Sequence, residues 1–302
     1  MSNSDQMNAD VLNEEHGIEN QLRFVAGNGG LTKAVIENRH ATADIYLFGA
    51  HVTRFRPING DDVIWLSPTA VFDGVKAIRG GIPICWPWFG PHPTDDSMPA
   101  HGLARTSHWH VLSTNATADG ATTLSLGLES NAHTQILFPF QFQLRLDVTI
   151  SKKLSIELSI TNTDSQPFDS GAALHTYYQI SDVKDVQCSG LENVDYIDKV
   201  DGMKIKSDQG PVRITAEEDR VYVNTADTVM IKTAARTLRV AKEGSRSTIL
   251  WNPWIDKARS ISDMPNDGYQ TMICIETANA ASDVRQIAAG DTHRIGQTTS
   301  LV

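Results

Sequence analysis

The chain has 302 residues, of which 40% are hydrophobic and 21% charged, a composition ordinary for a globular protein with a large core. Its formal net charge of −10 argues against nucleic acid as a partner, because phosphate backbones require broad positive surfaces. No run of eighteen apolar residues occurs and the polar N-terminus lacks the apolar region of a secretory signal, so neither a membrane span nor export is expected.

The three cysteines, Cys85, Cys188 and Cys274, lie in or beside apolar runs and show no metal-like spacing. They are most simply interpreted as reduced core thiols, which favours the cytoplasm. His108 and His110 flank Trp109, but a third ligand is missing from this pattern, so zinc is not expected. The sequence also lacks a phosphate-binding loop and a dinucleotide-binding fingerprint, and no cofactor is predicted.

The predicted elements begin with residues 1–20, interpreted as a flexible N-terminal arm or a short helix near 11–21. Strict alternation of apolar and polar residues predicts a hairpin of strands at 144–150 and 154–160. Further strands are predicted at 45–52, 123–129, 171–180, 220–224, 230–233, 237–242, 247–251 and 271–276, with one or two more in 283–302. A short helix is expected near 255–260.

Strands follow strands without intervening long helices, a pattern that indicates an all-β antiparallel sandwich. Residues 21–302 contain no long linker rich in Pro, Ser or Gly and no repeat of fixed period, so they are predicted to form a single domain.

The segment 78–105 is unusual for a loop because it combines glycines and prolines with two tryptophans and two arginines. It contains Arg-Gly-Gly-Ile-Pro at 79–83, Trp-Pro-Trp-Phe-Gly at 86–90 and His-Gly-Leu-Ala-Arg at 101–105. Glycine and proline preset the backbone, aromatic faces suit sugar rings, and arginine suits phosphate. The pattern favours a site for a sugar with an anionic substituent over a structural turn with packed aromatic residues.

Two further residues are candidates for proton transfer. Glu276 is interpreted as ending a buried strand, where it would either cap the rim of a sheet or point into a cavity as a base. His175 follows small residues that allow close approach of a ligand, although a satisfied core histidine is the more common case for such a position.

Together with His-Thr-Tyr-Tyr at 175–178 and Ile-Glu-Thr at 275–277, the three motifs resemble the hexose-6-phosphate mutarotases, the glucose-6-phosphate 1-epimerase branch of the aldose 1-epimerase superfamily. The resemblance covers nearly all of the chain after the first twenty residues. It implies the antiparallel β-supersandwich of galactose-mutarotase-like proteins and a cofactor-free isomerase that interconverts the α and β anomers of hexose 6-phosphates. Glu276 would be the catalytic base and His175 the acid, on opposite sides of the bound sugar.

The resemblance also assigns substrate-binding residues. Arg79 and Arg105 would hold the substrate, with at least one reaching the 6-phosphate, and His101 would hydrogen-bond a hydroxyl or phosphate oxygen. Trp88 is the expected stacking face, and Asp219, in an Asp-Arg-Val-Tyr context, would accept sugar hydroxyls. From the residues alone the arginines could instead pair with Asp73, Asp95 or Asp96 at the surface. Trp86 could equally belong to the core.

Three other functions compete with this one. An aldose 1-epimerase acting on unphosphorylated sugars would not require two arginines, and a sugar-phosphate-binding protein would not accelerate anomer exchange. A glycosidase would need two carboxylates across the scissile bond. The sequence leaves open which hexose 6-phosphate is preferred and which arginine contacts the phosphate. A monomer is the default expectation.

Overall fold

The structure, a computed structural model, describes residues 8–225 and 228–302. Over these residues the helices are α1 Ala9–His16, α2 Thr134–Leu137 and α3 Trp254–Ser260. The strands of the first half are β1 Leu22–Ala26, β2 Thr32–Glu37, β3 Ala41–Tyr46, β4 His51–Pro57, β5 Ile84–Cys85, β6 His110–Ala116, β7 Thr122–Glu129, β8 Phe142–Ile150 and β9 Leu154–Asn162. Those of the second half are β10 Phe168–Ser170, β11 Ala172–Leu174, β12 Tyr177–Gln179, β13 Gln187–Ser189, β14 Tyr196–Asp198, β15 Lys204–Lys206, β16 Glu218–Val223, β17 Val229–Lys232, β18 Thr237–Glu243, β19 Ser247–Asn252, β20 Met272–Asn279, β21 Arg285–Ile287 and β22 Thr292–Leu301.

Two large sheets dominate the described residues. Sheet A has the strand order β15-β14-β16-β19-β20-β11-β5, and β12 also pairs with β20. Sheet B has the order β13-β17-β18-β22-β9-β8-β7-β6, while β1–β4 form a four-stranded sheet and β10 pairs with β21. Pairing between the named strands is antiparallel throughout. The predicted all-β antiparallel architecture is confirmed.

The apolar core lies between sheets A and B. Along β8 and β9 every second side chain is buried, as alternation predicts, and Leu146 and Leu158 join one apolar cluster with Leu250 and Ile275 of sheet A. Gln297 of β22 bridges the sheets through polar contacts. Its amide donates to Thr176 Oγ1 at 2.8 Å and to Tyr178 Oη at 3.1 Å, and its carbonyl accepts from Thr277 Oγ1 at 3.0 Å.

Two predicted strands are interrupted. The segment 45–52 contains the end of β3 and the start of β4, separated by a turn in which Gly49 and Ala50 have φ of 75° and 47°. The segment 171–180 is divided into β11 and β12 at residues 175 and 176. The second interruption matters for function because it contains His175.

The N-terminal segment contains a short helix that begins before the predicted range of 11–21. Residues 9–16 form α1, in which Leu12 is buried. The Asn13 side chain donates to the carbonyl of Phe24 at 2.8 Å and accepts from its N–H at 2.7 Å, so the helix is fastened to β1. Residues 9–16 thus adopt a short helix, the alternative predicted beside a flexible arm, while residues 1–7 lie outside the described residues. None of the described helices is long and apolar enough to cross a membrane.

Candidate active site

Strand register brings His175 and Glu276 together on sheet A. Leu174 pairs with Thr277 before the interruption between β11 and β12, and the same register resumes at Tyr177 after it. Continued across the gap, this register sets His175 opposite Glu276, and directly opposed residues of antiparallel strands share one face. Nδ1 of His175 lies 3.3 Å from Oε1 of Glu276. Two residues 101 positions apart in the sequence thus form one pair.

Glu276 lies inside its strand and not at its end. β20 continues through Asn279, and Glu276 pairs with Ile249 of β19 in the interior of sheet A. The residue is 1% exposed, and neither carboxylate oxygen has a hydrogen-bond partner among the described residues. The rim-capping alternative is therefore wrong. A buried carboxyl group without a partner is costly for folding and is expected mainly where function requires it.

The surroundings of Glu276 favour its protonated form. Burial raises the pKa of Glu276 well above its ordinary value, and the nearby Asp219 raises it further. Lys199 and Arg105 act in the opposite direction but do not outweigh burial. The carboxyl group is therefore suited to hold a proton that an ordinary glutamate would release at neutral pH.

The surroundings of His175 favour its neutral form. Burial lowers the pKa of His175 well below the ordinary value, and His101, Arg105 and Arg79 lower it further. Both shifts favour a pair without net charge, in which Glu276 holds the proton and faces a neutral imidazole. Transfer of this proton would give an ionised Glu276 beside a protonated His175, so the pair can act both as acid and as base.

Aromatic rings flank the imidazole. Tyr177 stacks on His175 with ring centroids 5.0 Å apart and planes inclined by 8°, and Trp251 meets it edge-on at 6.1 Å. Trp88, the expected stacking face, is 8% exposed, and its indole N–H donates to the carbonyl of Pro99 at 2.9 Å. Trp88 therefore offers little surface to a ligand, whereas Trp251 is only partly buried and adjoins His175.

The Arg-Gly-Gly-Ile-Pro segment is part of the support for His175. The N–H of His175 donates to the carbonyl of Pro83 at 3.0 Å, and the N–H of Tyr177 donates to that of Gly81 at 3.0 Å. Gly81 has φ of 68°, and the fully buried His51 approaches it closely while its Nε2 contacts the carbonyl oxygen of Gly80 at 2.7 Å. Glycine is required at position 81 because the ring of His51 and the backbone of a neighbouring strand occupy the space that a side chain would need.

We expect Gly81→Ala to destabilise the protein strongly. An added Cβ would lie 2.4 Å from Nε2 of His51 and 2.5 Å from the carbonyl oxygen of Val52, in a backbone conformation that favours glycine. Strain of about 1–3 kcal/mol is expected from the conformation alone, and the contacts add to it. Gly90→Ala is the matched control, because Gly90 has φ of 79° and nothing within 4 Å of the added atom. Thermal or urea unfolding of both variants measures the difference, and equal losses would contradict this role of His51.

The His-Gly-Leu-Ala-Arg segment folds back on Trp86, which is fully buried in the core. The N–H of Leu103 donates to the carbonyl of Trp86 at 2.8 Å, and a Cβ on Gly102 would lie 2.0 Å from that oxygen. This packing holds the ring of His101 at 5.7 Å from that of His175. Burial, with nearby cations, lowers the pKa of His101 to about 3, so it serves as a neutral hydrogen-bonding group.

The two arginines differ in what they contact. Nε of Arg79 lies 3.0 Å from Oδ1 of Asp263, and its Nη1 donates to Tyr177 Oη at 3.4 Å. Arg105 donates to the carbonyl of Ala100 at 2.8 Å and has no carboxylate within 4.0 Å among residues 8–225 and 228–302. Neither arginine pairs with Asp73, Asp95 or Asp96. Both line one cleft of about 490 Å³, together with Tyr177 and Asp263.

Asp219 lies on the same sheet as Glu276. It is directly opposite Trp251, which is in turn opposite Cys274, so the three side chains share one face of sheet A. Nζ of Lys199 lies 2.9 Å from Oδ2 of Asp219. Lys199 and Asp263 were not singled out as site residues from the sequence. Trp251, in its Trp-Asn-Pro-Trp segment, was a candidate for the lining of the pocket without an assigned role.

A metal ion is the main alternative use of this cluster. Ligand atoms of His175, Cys274 and Glu276 lie within 4.8 Å of one another, and all three residues are buried. A metal would need the thiolate and the carboxylate, but burial raises the pKa of both Cys274 and Glu276 well above their ordinary values. The surroundings therefore suit proton transfer better than metal binding.

The antiparallel sandwich brings a buried histidine–glutamate pair close to aromatic rings and to a cleft lined by two arginines. Residues 32–300 match the family described as Aldose 1-epimerase, and the chain belongs to that family. It is an isomerase.

Relatives and solved structures agree with this assignment. The chain is 36% identical over 251 residues to an Escherichia coli K12 protein, covering 82% of this chain and 83% of that one. It is 35% identical over 261 residues to a Cenchrus ciliaris protein, with coverages of 82% and 78%. Both relatives are provisionally named glucose-6-phosphate 1-epimerase. A crystal structure from Salmonella typhimurium, provisionally described as a mutarotase, superposes with a TM-score of 0.88 at 31% identity and covers 95% of each chain.

Proposed function

We propose that this isomerase interconverts the α and β anomers of D-hexose 6-phosphates, with glucose 6-phosphate as its principal substrate. The observation that carries the proposal is the 3.3 Å contact between the buried side chains of His175 and Glu276, beside a cleft lined by Arg79 and Arg105. The names of the relatives support the same substrate.

The reaction requires one group that accepts a proton and one that donates a proton, and the pair can supply both. Anomer exchange requires removal of the proton from the C1 hydroxyl and delivery of a proton to the ring oxygen, after which the aldehyde rotates and the ring recloses. We assign Glu276 as the base and His175 as the acid, and the two exchange roles on closure. The proton transfer between them described above would generate these two forms.

The distance between the two groups changes the expected arrangement of the sugar. A pyranose ring does not fit between atoms 3.3 Å apart, so His175 and Glu276 cannot flank it in this conformation. The C1 hydroxyl and the ring oxygen are bonded to the same carbon, however, and neighbouring groups can reach both from one side. We therefore propose that the pair approaches C1 from a single direction, with Trp251 and Tyr177 beside it.

The cleft supplies the reason to propose a phosphorylated substrate. Arg105 has unused donors, because its one described hydrogen bond goes to a backbone carbonyl, whereas Arg79 is engaged by Asp263. A phosphate accepts the fork of an arginine side chain at two oxygens. We propose that Arg105 binds the 6-phosphate and that Arg79, held in place by Asp263, supports the wall between the cleft and His175.

Exchange spectroscopy by NMR tests this function directly. Purified protein is added to equilibrated glucose 6-phosphate or glucose, and the exchange rate between anomers is measured for each. Faster exchange of glucose 6-phosphate at equal concentration supports the proposal. Equal acceleration of both sugars would favour an aldose 1-epimerase for free sugars. No acceleration of either would favour a binding protein.

The free cysteines are the basis for proposing a cellular compartment. Cys85, Cys188 and Cys274 are all free and buried, and burial raises the pKa of each thiol. Such thiols form no cross-links and agree with a reducing compartment. We propose a cytoplasmic monomer.

A further inference from the structure

Lys199 forms two bonds with Asp219 at the margin of the site. It follows β14 in the turn of the hairpin formed by β14 and β15, and its N–H donates to the carbonyl of Asp219 at 2.9 Å. Its Nζ reaches Oδ2 of the same residue, also at 2.9 Å. The side chains of Lys199 and Asp219 are 30% and 15% exposed, so the ion pair is partly shielded from water. Two bonds to one residue fix both its backbone and its carboxylate.

The fastened carboxylate belongs to the face that bears the catalytic pair. Asp219 is opposite Trp251 in the register of sheet A, and Trp251 contacts the ring of His175. The other oxygen, Oδ1, forms no described hydrogen bond and can accept one from a sugar hydroxyl. Without Lys199, the carboxylate would lose both its orientation and its counter-charge.

Resting on the proposed function, we propose that Lys199 is a positioning residue with two effects. It orients Asp219 toward the hydroxyls of the sugar, and it neutralises the charge of Asp219 beside the catalytic pair. The first effect acts on substrate affinity and the second on the pH range of activity.

The pH effect depends on all the ionisable groups around Glu276. Strands β11 and β19, which pair with β20, contribute none. The groups around the pair of His175 and Glu276 are Tyr177 of β12, Cys85 of β5, Cys274 of β20, Asp219 of β16, Lys199, and Arg79, His101 and Arg105 of the 78–105 segment. Asp219 raises the pKa of Glu276, whereas Lys199 and Arg105 lower it. Loss of Lys199 removes a positive charge and leaves Asp219 unopposed. Protons then bind the pair more readily, so both limbs of the pH profile move to higher pH.

The test compares Lys199→Met with Lys199→Arg and with Lys204→Met. Lys204 is on the same hairpin and forms an exposed ion pair with Asp201 at 2.9 Å, which makes it the matched control. Exchange of glucose 6-phosphate is measured from low to high pH in each folded variant. Lys199→Met is expected to raise KM about tenfold, as for loss of a hydrogen bond to a charged group, and to move the acid limb up by about one pH unit. Lys199→Arg should restore much of both.

A double variant separates the two effects. In Lys199→Met/Asp219→Asn the uncompensated charge is gone, so the acid limb is expected to return toward its wild-type position while KM stays raised. The inference is overturned if Lys199→Met matches Lys204→Met in both KM and pH profile, or if the double variant keeps the shifted limb. A wild-type protein without exchange activity would overturn the proposed function itself, and that result is seen before any variant is compared.

Discussion

Glu276→Gln is expected to lower the rate of anomer exchange by a factor of about 10² to 10⁴, for glucose 6-phosphate and glucose alike. The amide preserves the size of the side chain but cannot give or take the proton. His175→Asn should have an effect of similar size, because the same proton passes between the two groups. For the same reason the double variant is expected to be little slower than either single variant. NMR exchange rates at saturating substrate measure all three.

Stability serves as the control for this loss. Folding raises the pKa of the Glu276 carboxyl group. Such a group contributes fully to stability at pH values below its ordinary pKa, and this contribution is lost as the pH rises through the folded-state pKa. Glu276→Gln is not subject to this loss, so its melting temperature at neutral pH should equal or exceed that of the wild type. Glu157→Gln on the exposed face of sheet B should leave exchange unchanged. Full exchange activity in a folded Glu276→Gln protein would contradict the catalytic assignment.

Arg105→Met is expected to raise KM for glucose 6-phosphate about ten- to hundredfold and to leave KM for glucose nearly unchanged. The reason is that Arg105 has no carboxylate partner among the described residues and lines the cleft, so its loss removes a charged contact worth about 1.5–3 kcal/mol. The affinity for the phosphorylated sugar should also weaken with salt in the wild type more than in the variant. Initial exchange rates across substrate concentrations measure both effects.

The control for the phosphate contact is Arg54→Met. Arg54 forms an ion pair with Asp62 at 3.0 Å, and both side chains are partly exposed and lie outside the cleft. This variant should behave as wild type with both sugars. If Arg105→Met weakens glucose and glucose 6-phosphate equally, Arg105 contacts the sugar or supports the fold, and the phosphate assignment fails.

Local pattern predicted those parts of the fold in which one strand face is buried. The hairpin of β8 and β9 follows from the alternation of apolar and polar residues, because in a strand apolar residues face the core and polar residues face solvent. Strands β1 and β2 were missed: their burial patterns alternate less regularly. The turn between β3 and β4 was missed because Gly49 is its one turn signal, while Ala50, with φ of 47°, is a residue type that rarely adopts this conformation.

The candidate site was predicted in its residues and not in its geometry. The resemblance located His175 and Glu276, but their 3.3 Å contact depends on the register of β11 and β12 against β20, which no local pattern encodes. Lys199 and Asp263 were missed for a related reason. Each acquires its role through a residue far away in sequence, Asp219 and Arg79 respectively.

The central claim is that a carboxyl group and an imidazole in contact with each other act together on C1 of a sugar phosphate. A crystal structure of the Glu276→Gln variant with glucose 6-phosphate tests it most directly. The account predicts that the C1 hydroxyl and the ring oxygen lie within about 2.6–3.2 Å of His175 and residue 276, with the phosphate on Arg105. A sugar bound with C1 away from both residues, or a side chain at 276 still sealed from the ligand, would contradict it.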